Sequence, residues 1–223
     1  RDIGRMAEGT RPMLPVSAHG CSEVAQVGLS FNRLQDKLLE QEQRLARMAH
    51  HDTLTGLPNR RAIHERLSEE LLRLDRSGHG LALLFLDLDG FKPANDTYGH
   101  QTGDLLLIEV ARRLQASVRQ ADSLARLGGD EFLILLCATD VPLEAAERVA
   151  RQCIASLGQT FVIDDKAISI GVSIGIASCS AEQAKARTAE QLINAADQAM
   201  YEAKANGRGR YVILPISEPS QEP

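Results

Sequence analysis

Tryptophan is absent from the 223 residues, and aromatics of any kind make up only 4%. The core is therefore expected to be mainly aliphatic. No run of about eighteen apolar residues occurs and no signal peptide is present, so nothing in the sequence as given reads as a membrane span. Cys21, Cys137, Cys153 and Cys179 are scattered without a C-x-x-C pair. Three lie in apolar contexts, which points to buried thiols in a reducing compartment, not to disulfides or a zinc site. No G-x-x-x-x-G-K stands anywhere, so a P-loop is excluded. Basic charge is also short: 25 Lys and Arg against 30 Asp and Glu give a net charge of -5, which argues against a protein that coats nucleic acid.

What is present is a hydrophobic fraction of 43%, suited to one globular domain plus an appendage. The chain opens on Arg1, which reads as a fragment. Residues 1–21 carry Gly4, Gly9, Pro12, Pro15 and Gly20 and read as a connector. Over 22–51, Val24, Val27, Phe31, Leu34, Leu38, Gln41, Leu45 and Met48 follow at alternating spacings of three and four, the seam of a two-stranded coiled coil. The domain proper is expected over 52–214. It reads as a helix to about Arg76, an apolar strand from Leu81 to Leu86, a helix over 104–118 and a hairpin over 122–137. A helix over 142–157, an alternating strand over 167–178, a helix over 188–205 and a strand over 211–214 complete it. Such interleaving suits an α/β (α+β) domain around one mixed sheet, a ferredoxin-like βαββαβ palm similar to nucleotide cyclase and polymerase palms. The polar tail 215–223 is a terminus or a linker.

The domain is organised around Arg126-Leu127-Gly128-Gly129-Asp130-Glu131-Phe132, where two apolar runs flank a glycine turn and two acids. Glycines leave no side chain above the turn, so a phosphorylated ligand could lie against the backbone there. Asp87 closes the apolar strand, and in a βαββ palm that strand neighbours the hairpin. Carboxylates on adjacent strand ends, without His or Cys, suit a hard cation such as Mg²⁺ and metal-assisted phosphoryl transfer. Downstream, Lys92, Asn95, Asp96 and Asp104 supply a cation for phosphate and amide and acid groups for a base edge. Adjacent acids on a strand point to opposite faces, so one surface would receive only one of Asp130 and Glu131 unless the turn twists them.

With these residues in place the chain resembles the GGDEF family, the diguanylate cyclases, over about residues 52–214. The motifs that carry the resemblance stand in order: DTLTGLPNRR, DLDGFKPANDTYGHQTGD, RLGGDEF, SIGIA and ADQAMYEAKANGRG. The resemblance implies that Asp87, the Leu88 carbonyl, Asp130 and Glu131 hold Mg²⁺ or Mn²⁺, and that Asp130 accepts a proton. It implies that Asn95 and Asp104 bind guanine beside Gly128 and Gly129, that Lys92, Lys204 and Arg208 hold phosphates, and that Arg126 stabilises charge near the transferring phosphate.

The implied activity is condensation of two GTP into cyclic di-GMP with release of two pyrophosphates, by a homodimer. A catalytically inactive GTP or cyclic di-GMP receptor is the alternative. Arg119 and Asp122, an R-x-x-D ending shortly before Gly128, occupy the position of the family's inhibitory product site. Met6-Ala7-Glu8-Gly9 and the following connector resemble the end of a HAMP signalling module, which implies a membrane anchor upstream and a location on the cytoplasmic side of the bacterial inner membrane.

Overall fold

A computed structural model describes residues 22–77, 79–184 and 187–214. Two compact units divide the chain, Arg1–Ala49 and His50–Pro223. In the first, α1 runs over Ser22–His50, 29 residues and so roughly 44 Å at 1.5 Å per residue. Of the expected seam, Leu34 is 57% and Leu38 48% exposed, with Gln41 also exposed and Phe31 half-buried. The side chains of Val24, Val27, Leu45 and Met48, like the connector 1–21 and the tail 215–223, lie outside the described residues.

The second unit starts with a turn at 52–58, then α2 (Arg60–Ser77), with Asn59 Oδ1 accepting from the Ala62 N–H at 3.0 Å as its cap. Strand β1 (Gly80–Asp89) follows, then α3 (Phe91–Tyr98) and α4 (His100–Gln115). The hairpin is β2 (Ser123–Gly128) with β3 (Glu131–Thr139), and α5 (Pro142–Leu157) comes next. Strands β4 (Phe161–Ile163) and β5 (Lys166–Ile168), then β6 (Gly171–Cys179), α6 (Ala181–Ala184), α7 (Ala189–Ala205) and β7 (Tyr211–Ile213) complete it. The main sheet has the order β2-β3-β1-β6-β7. β1 is central and antiparallel to both neighbours, and β7 adds in parallel to β6. The βαββαβ arrangement expected of the sequence is therefore the observed one, with one strand added at an edge.

Side-chain alternation along β1 decides which helices meet which residues. Ala82, Leu84, Leu86 and Leu88 pack in one core with Leu106, Val110 and Leu114 of α4 and Ala146, Ala150 and Cys153 of α5. Leu81, Leu83 and Phe85 pack in the other with Ile63, Leu67, Leu71 and Leu74 of α2 and Leu192, Ala196 and Met200 of α7. Gly175 explains how closely α7 lies on the sheet, because a Cβ there would run into the Ala196 carbonyl and the Met200 N–H.

Three stretches differ from expectation. Asn95-Asp96 lie in a helix, α3, where none was expected, and α4 starts at His100, four residues before the expected Asp104. Gly99, at φ 85°, closes one helix and opens the next, so a single glycine hides the boundary. The strand expected over 167–178 is two strands: β5 pairs with β4 in a separate small sheet, turned by Asp164 and Asp165 at φ 47° and 63°. Arg113 holds this hairpin by donating to the carbonyls of Ser156, Gln159 and Thr160 and stacking 3.7 Å over the Phe161 ring.

Candidate active site

The parity that sends Leu83 and Phe85 toward α2 and α7 sends Asp87 and Asp89 the same way. Asp87 stands directly across from Glu131 in the β1–β3 ladder, so the two carboxylates share one face. Asp130 lies in the turn just outside the ladder, and its carbonyl accepts from the Leu88 N–H at 3.2 Å. The two signature acids are thus separated in role by position: Glu131 begins β3, whereas Asp130 belongs to the turn. Helices on that face supply the counter-ions. Lys204, in the last turn of α7, reaches Asp87 Oδ1 at 2.7 Å, and Arg60, the first residue of α2, reaches Glu131 Oε2 at 3.3 Å.

Crowding shows in the electrostatics. Burial pushes the Asp87 carboxyl above the usual carboxylate range, and the charges of Asp130 and Asp89 add to this against the pull of Lys204. Burial likewise raises Glu131 against the pull of Arg60, with the charges of Asp87, Asp197 and Asp130 adding to the rise. These acids repel one another in a partly desolvated place, which is where a cation would relieve them.

The turn itself is held from behind. Gly128 and Gly129 take φ values of 140° and 52°, which leave bare backbone at the tip. Arg126 is buried, with Nε and a terminal nitrogen donating to the Gly129 carbonyl at 3.1 and 2.8 Å. Its other terminal nitrogen donates to Asp52 Oδ1 at 2.9 Å. Burial raises the Asp52 carboxyl, but the Thr55 hydroxyl and amide together with Arg126 outweigh it and hold the group below its ordinary range. The Arg126 guanidinium thus gives three of its five N–H donors to groups inside the protein, fastening the turn to residues 52–58.

Beyond Asp89, Gly90 at φ 84° opens α3 without a side-chain cap. The N–H groups of Phe91 and Lys92 thus leave the first turn without helical partners, beside the exposed Lys92 side chain, a geometry suited to anions. Asn95 of α3 packs against Gly103 of α4, one residue before Asp104. Gly103 makes this possible, since a Cβ there would collide with Asn95 Oδ1. Asn95 Nδ2 lies 2.9 Å from His100 Nδ1, whereas its Oδ1 is buried without a hydrogen-bond partner. Arg208 sits after α7 at φ 60°, with Nε 3.9 Å from Asp89 Oδ1.

Residues 49–210 match the family model described as diguanylate cyclase, GGDEF domain. The chain belongs to the GGDEF diguanylate cyclase family. It is 43% identical over 184 residues, 82% of this chain and 26% of the relative, to the bifunctional diguanylate cyclase/cyclic di-GMP phosphodiesterase MucR of Pseudomonas aeruginosa. Diguanylate cyclase TpbB of the same species is 38% identical over 208 residues, covering 90% of this chain and 47% of TpbB. The chain thus spans less than half the length of these relatives. Among solved structures, diguanylate cyclase SiaD of Pseudomonas aeruginosa, in complex with its activator SiaC, matches with a TM-score of 0.69 at 35% identity, over 86% of this chain and 72% of SiaD. The coiled coil and GGDEF domain of DgcB from Caulobacter crescentus, in complex with c-di-GMP, matches with a TM-score of 0.74 at 26% identity, covering 87% of this chain and all of that one (100%).

For a GGDEF domain the donors at the strand end are chemically apt for a hard divalent cation, being carboxylate oxygens of Asp87, Asp130 and Glu131 with no sulfur or imidazole among them. Among the described residues no three such groups already close on one point. Lys204 and Arg60 hold two of them instead. Arg119 and Asp122 lie elsewhere, in a cleft of about 250 Å³ that also includes Cys137, Arg148 and Gln152. The Arg119 N–H donates to Asp122 Oδ2 at 3.1 Å, and the Asp122 N–H donates back to the Arg119 carbonyl at 3.1 Å. Sequence reasoning did not single out Asp52, Arg60 or the first turn of α3. Only the signal for α3 was readable, a lone glycine between a strand and a short apolar-polar run; the other two depend on contacts 74 and 71 residues away.

Proposed function

We propose that this chain is an active diguanylate cyclase that works as a homodimer and is held back by its own product. The observation that carries the reading is the cross-strand pair Asp87 and Glu131, with Asp130 in the adjoining turn and Lys204 already on Asp87. Asp87, the Leu88 carbonyl, Asp130 and Glu131 would hold Mg²⁺ or Mn²⁺, which when bound neutralises triphosphate charge.

The chain's own groups do the rest. Asp104 accepts from the N1 and N2 donors of guanine, with Asn95 beside it. The free N–H groups of the α3 first turn, Lys92 and Arg208 receive the β- and γ-phosphates, and Lys204 leaves Asp87 to join them. Gly128 and Gly129 keep the tip clear for the nucleotide, and Arg126 keeps the tip in place. Asp130 accepts the 3′-hydroxyl proton as that oxygen forms a bond to the α-phosphorus of the other GTP. The bond from that phosphorus to the bridging oxygen breaks, and pyrophosphate leaves with the electron pair. Two such steps give cyclic di-GMP.

The product has two-fold symmetry, so two domains facing each other about a two-fold axis are the natural catalyst. Holding both reactants in line can be worth roughly 7–11 kcal/mol. The exposed Leu34 and Leu38 on α1 support a parallel pairing that would set this geometry. Arg119 and Asp122, with Arg148 across the cleft, suit the guanine edges and phosphates of cyclic di-GMP, which supports product inhibition there. We place the intact protein at the inner membrane, anchored upstream with this part in the cytoplasm, on the HAMP-like pattern of residues 1–34.

Incubation of the purified chain with GTP and Mg²⁺, followed by identification of the product, tests the reading. Cyclic di-GMP is expected. GTP bound but unconverted would make the domain a receptor instead.

A further inference from the structure

Asp87 and Asp89 are two residues apart on one face of β1, yet their surroundings differ in kind. Asp87 has one ionic partner among the described residues, the terminal ammonium of Lys204. Asp89 is enclosed by fixed donors. Its side chain is 10% exposed. The Ser173 hydroxyl from β6 lies 2.9 Å from both of its oxygens, and the Gly209 N–H donates to Oδ2 at 3.0 Å. Arg208 adds its charge at 3.9 Å. These partners lie 84 and 120 residues away, so Asp89 joins the sheet to the segment after α7.

That segment needs such an anchor. Gly207, Arg208 and Gly209 all have positive φ, at 109°, 60° and 59°. For Arg208, which has a Cβ, the left-handed conformation is unfavourable and persists only where neighbours over-determine it. The neighbours are present on either side. The Arg208 N–H donates to the Ala203 carbonyl at 3.1 Å, and the Arg210 carbonyl accepts from the Ile174 N–H at 2.9 Å. Asp89 holds the point between them through the Gly209 N–H.

We propose that Asp89 is a positioning residue for nucleotide binding. It fixes the left-handed turn that presents Arg208 to the triphosphate, and it takes no part in holding a metal ion. The inference rests on the reading of Arg208 as a phosphate contact. It separates the two acids of the D-x-D: the first stays exchangeable between Lys204 and a cation, whereas the second already accepts from a hydroxyl and a backbone amide. Asparagine at 89 can still accept from Gly209 but carries no charge beside Arg208.

The test is a double-mutant cycle on GTP kinetics. Arg208→Ala is expected to raise KM for GTP about tenfold, as loss of one charge-assisted contact does. Asp89→Asn is expected to raise KM about five- to tenfold with kcat within about threefold of wild type, and to add nothing in the Arg208→Ala background. Ser173→Ala, which removes one donor and leaves the charge, is expected to give a smaller KM rise of about two- to fourfold, also lost in that background. This milder variant decides the matter should Asp89→Asn not fold. Effects that add fully to Arg208→Ala, or a collapse of kcat at unchanged KM, overturn the proposal. An Arg208→Ala enzyme with wild-type KM would instead remove the phosphate role of Arg208 itself, an outcome distinct from failure of the cycle.

Discussion

Asp87 and Glu131 meet because β1 and β3 pair in one register, across 44 residues of chain, whereas Arg119 and Asp122 sit in one turn and bond each other through their own backbone. The difference sets the energetics. Sheet pairing forces like charges together in a place that burial makes hostile to them, and it holds them there because slipping the register by one residue would exchange every side chain of β1 between the two cores. The turn between α4 and β2 forces nothing, and its exposed arginine stays in water until something fills the cleft. One site carries strain in its resting state and the other does not. Function of the first should therefore be costly to remove and its removal should relieve the fold, while function of the second should be lost with no change in the fold.

The largest effect expected is on turnover. Asp130→Ala should lower kcat by about a hundredfold or more, the scale of a lost proton acceptor, with the melting temperature nearly unchanged because a turn acid contributes little packing. Retention of a tenth of wild-type activity would remove its assigned role. Next, Arg119→Ala should raise the inhibition constant for cyclic di-GMP by about tenfold or more without lowering the initial rate. If wild type and variant are inhibited alike, the Arg119–Asp122 pair is only a feature of the turn.

A smaller effect tests the strain directly. A carboxyl raised in the folded state takes up a proton more readily there than in the unfolded chain, so its contribution favours folding in acid and turns against it as pH rises through the folded value. Asp87 is raised even with Lys204 counted. Asp87→Asn should therefore melt no lower than wild type near pH 7.5, and its advantage should shrink as the buffer is taken into the acid range. A variant less stable than wild type at neutral pH would show that the ion pair outweighs the crowding.

The smallest effect concerns the cleft wall. Burial first, then the charge of Glu70, pushes the Cys137 thiol up to about 11, so it stays protonated at neutral pH although it lines the Arg119 cleft. Alkylation near pH 8 should be slow with or without cyclic di-GMP, and Cys137→Ser should leave inhibition within about twofold. Rapid labelling that product blocks would mean the cleft wall opens far more than the strand end does.

Local pattern was enough for much of this. Alternation and turn glycines marked the hairpin, expected over 122–137 and observed over 123–139, and the apolar run marked β1. The helix α3 was hidden because Pro93, Asn95, Asp96 and Thr97 are poor helix formers, and its eight residues present only Phe91 as a buried anchor. The β5–β6 break was hidden because both strands alternate and only two aspartates in left-handed geometry announce the turn before them. The acids themselves were readable as candidates. Their grouping followed from the palm topology, which sets the Asp87 strand beside the hairpin, whereas the register that puts Glu131, and not Asp130, across from Asp87 did not.

From the sequence alone follow the element types, the two-sided burial of β1 and the chemistry available at its end, since these depend on periodicity and side-chain type within a few residues. Tertiary structure alone decided the partners. Lys204 faces Asp87 because Gly175 lets α7 lie against the sheet, Arg60 faces Glu131 because α2 covers the same face, and Arg126 turns inward because Asp52 waits behind the turn. Each of these is a contact between residues far apart in the chain, and no local pattern encodes which distant charge will arrive first.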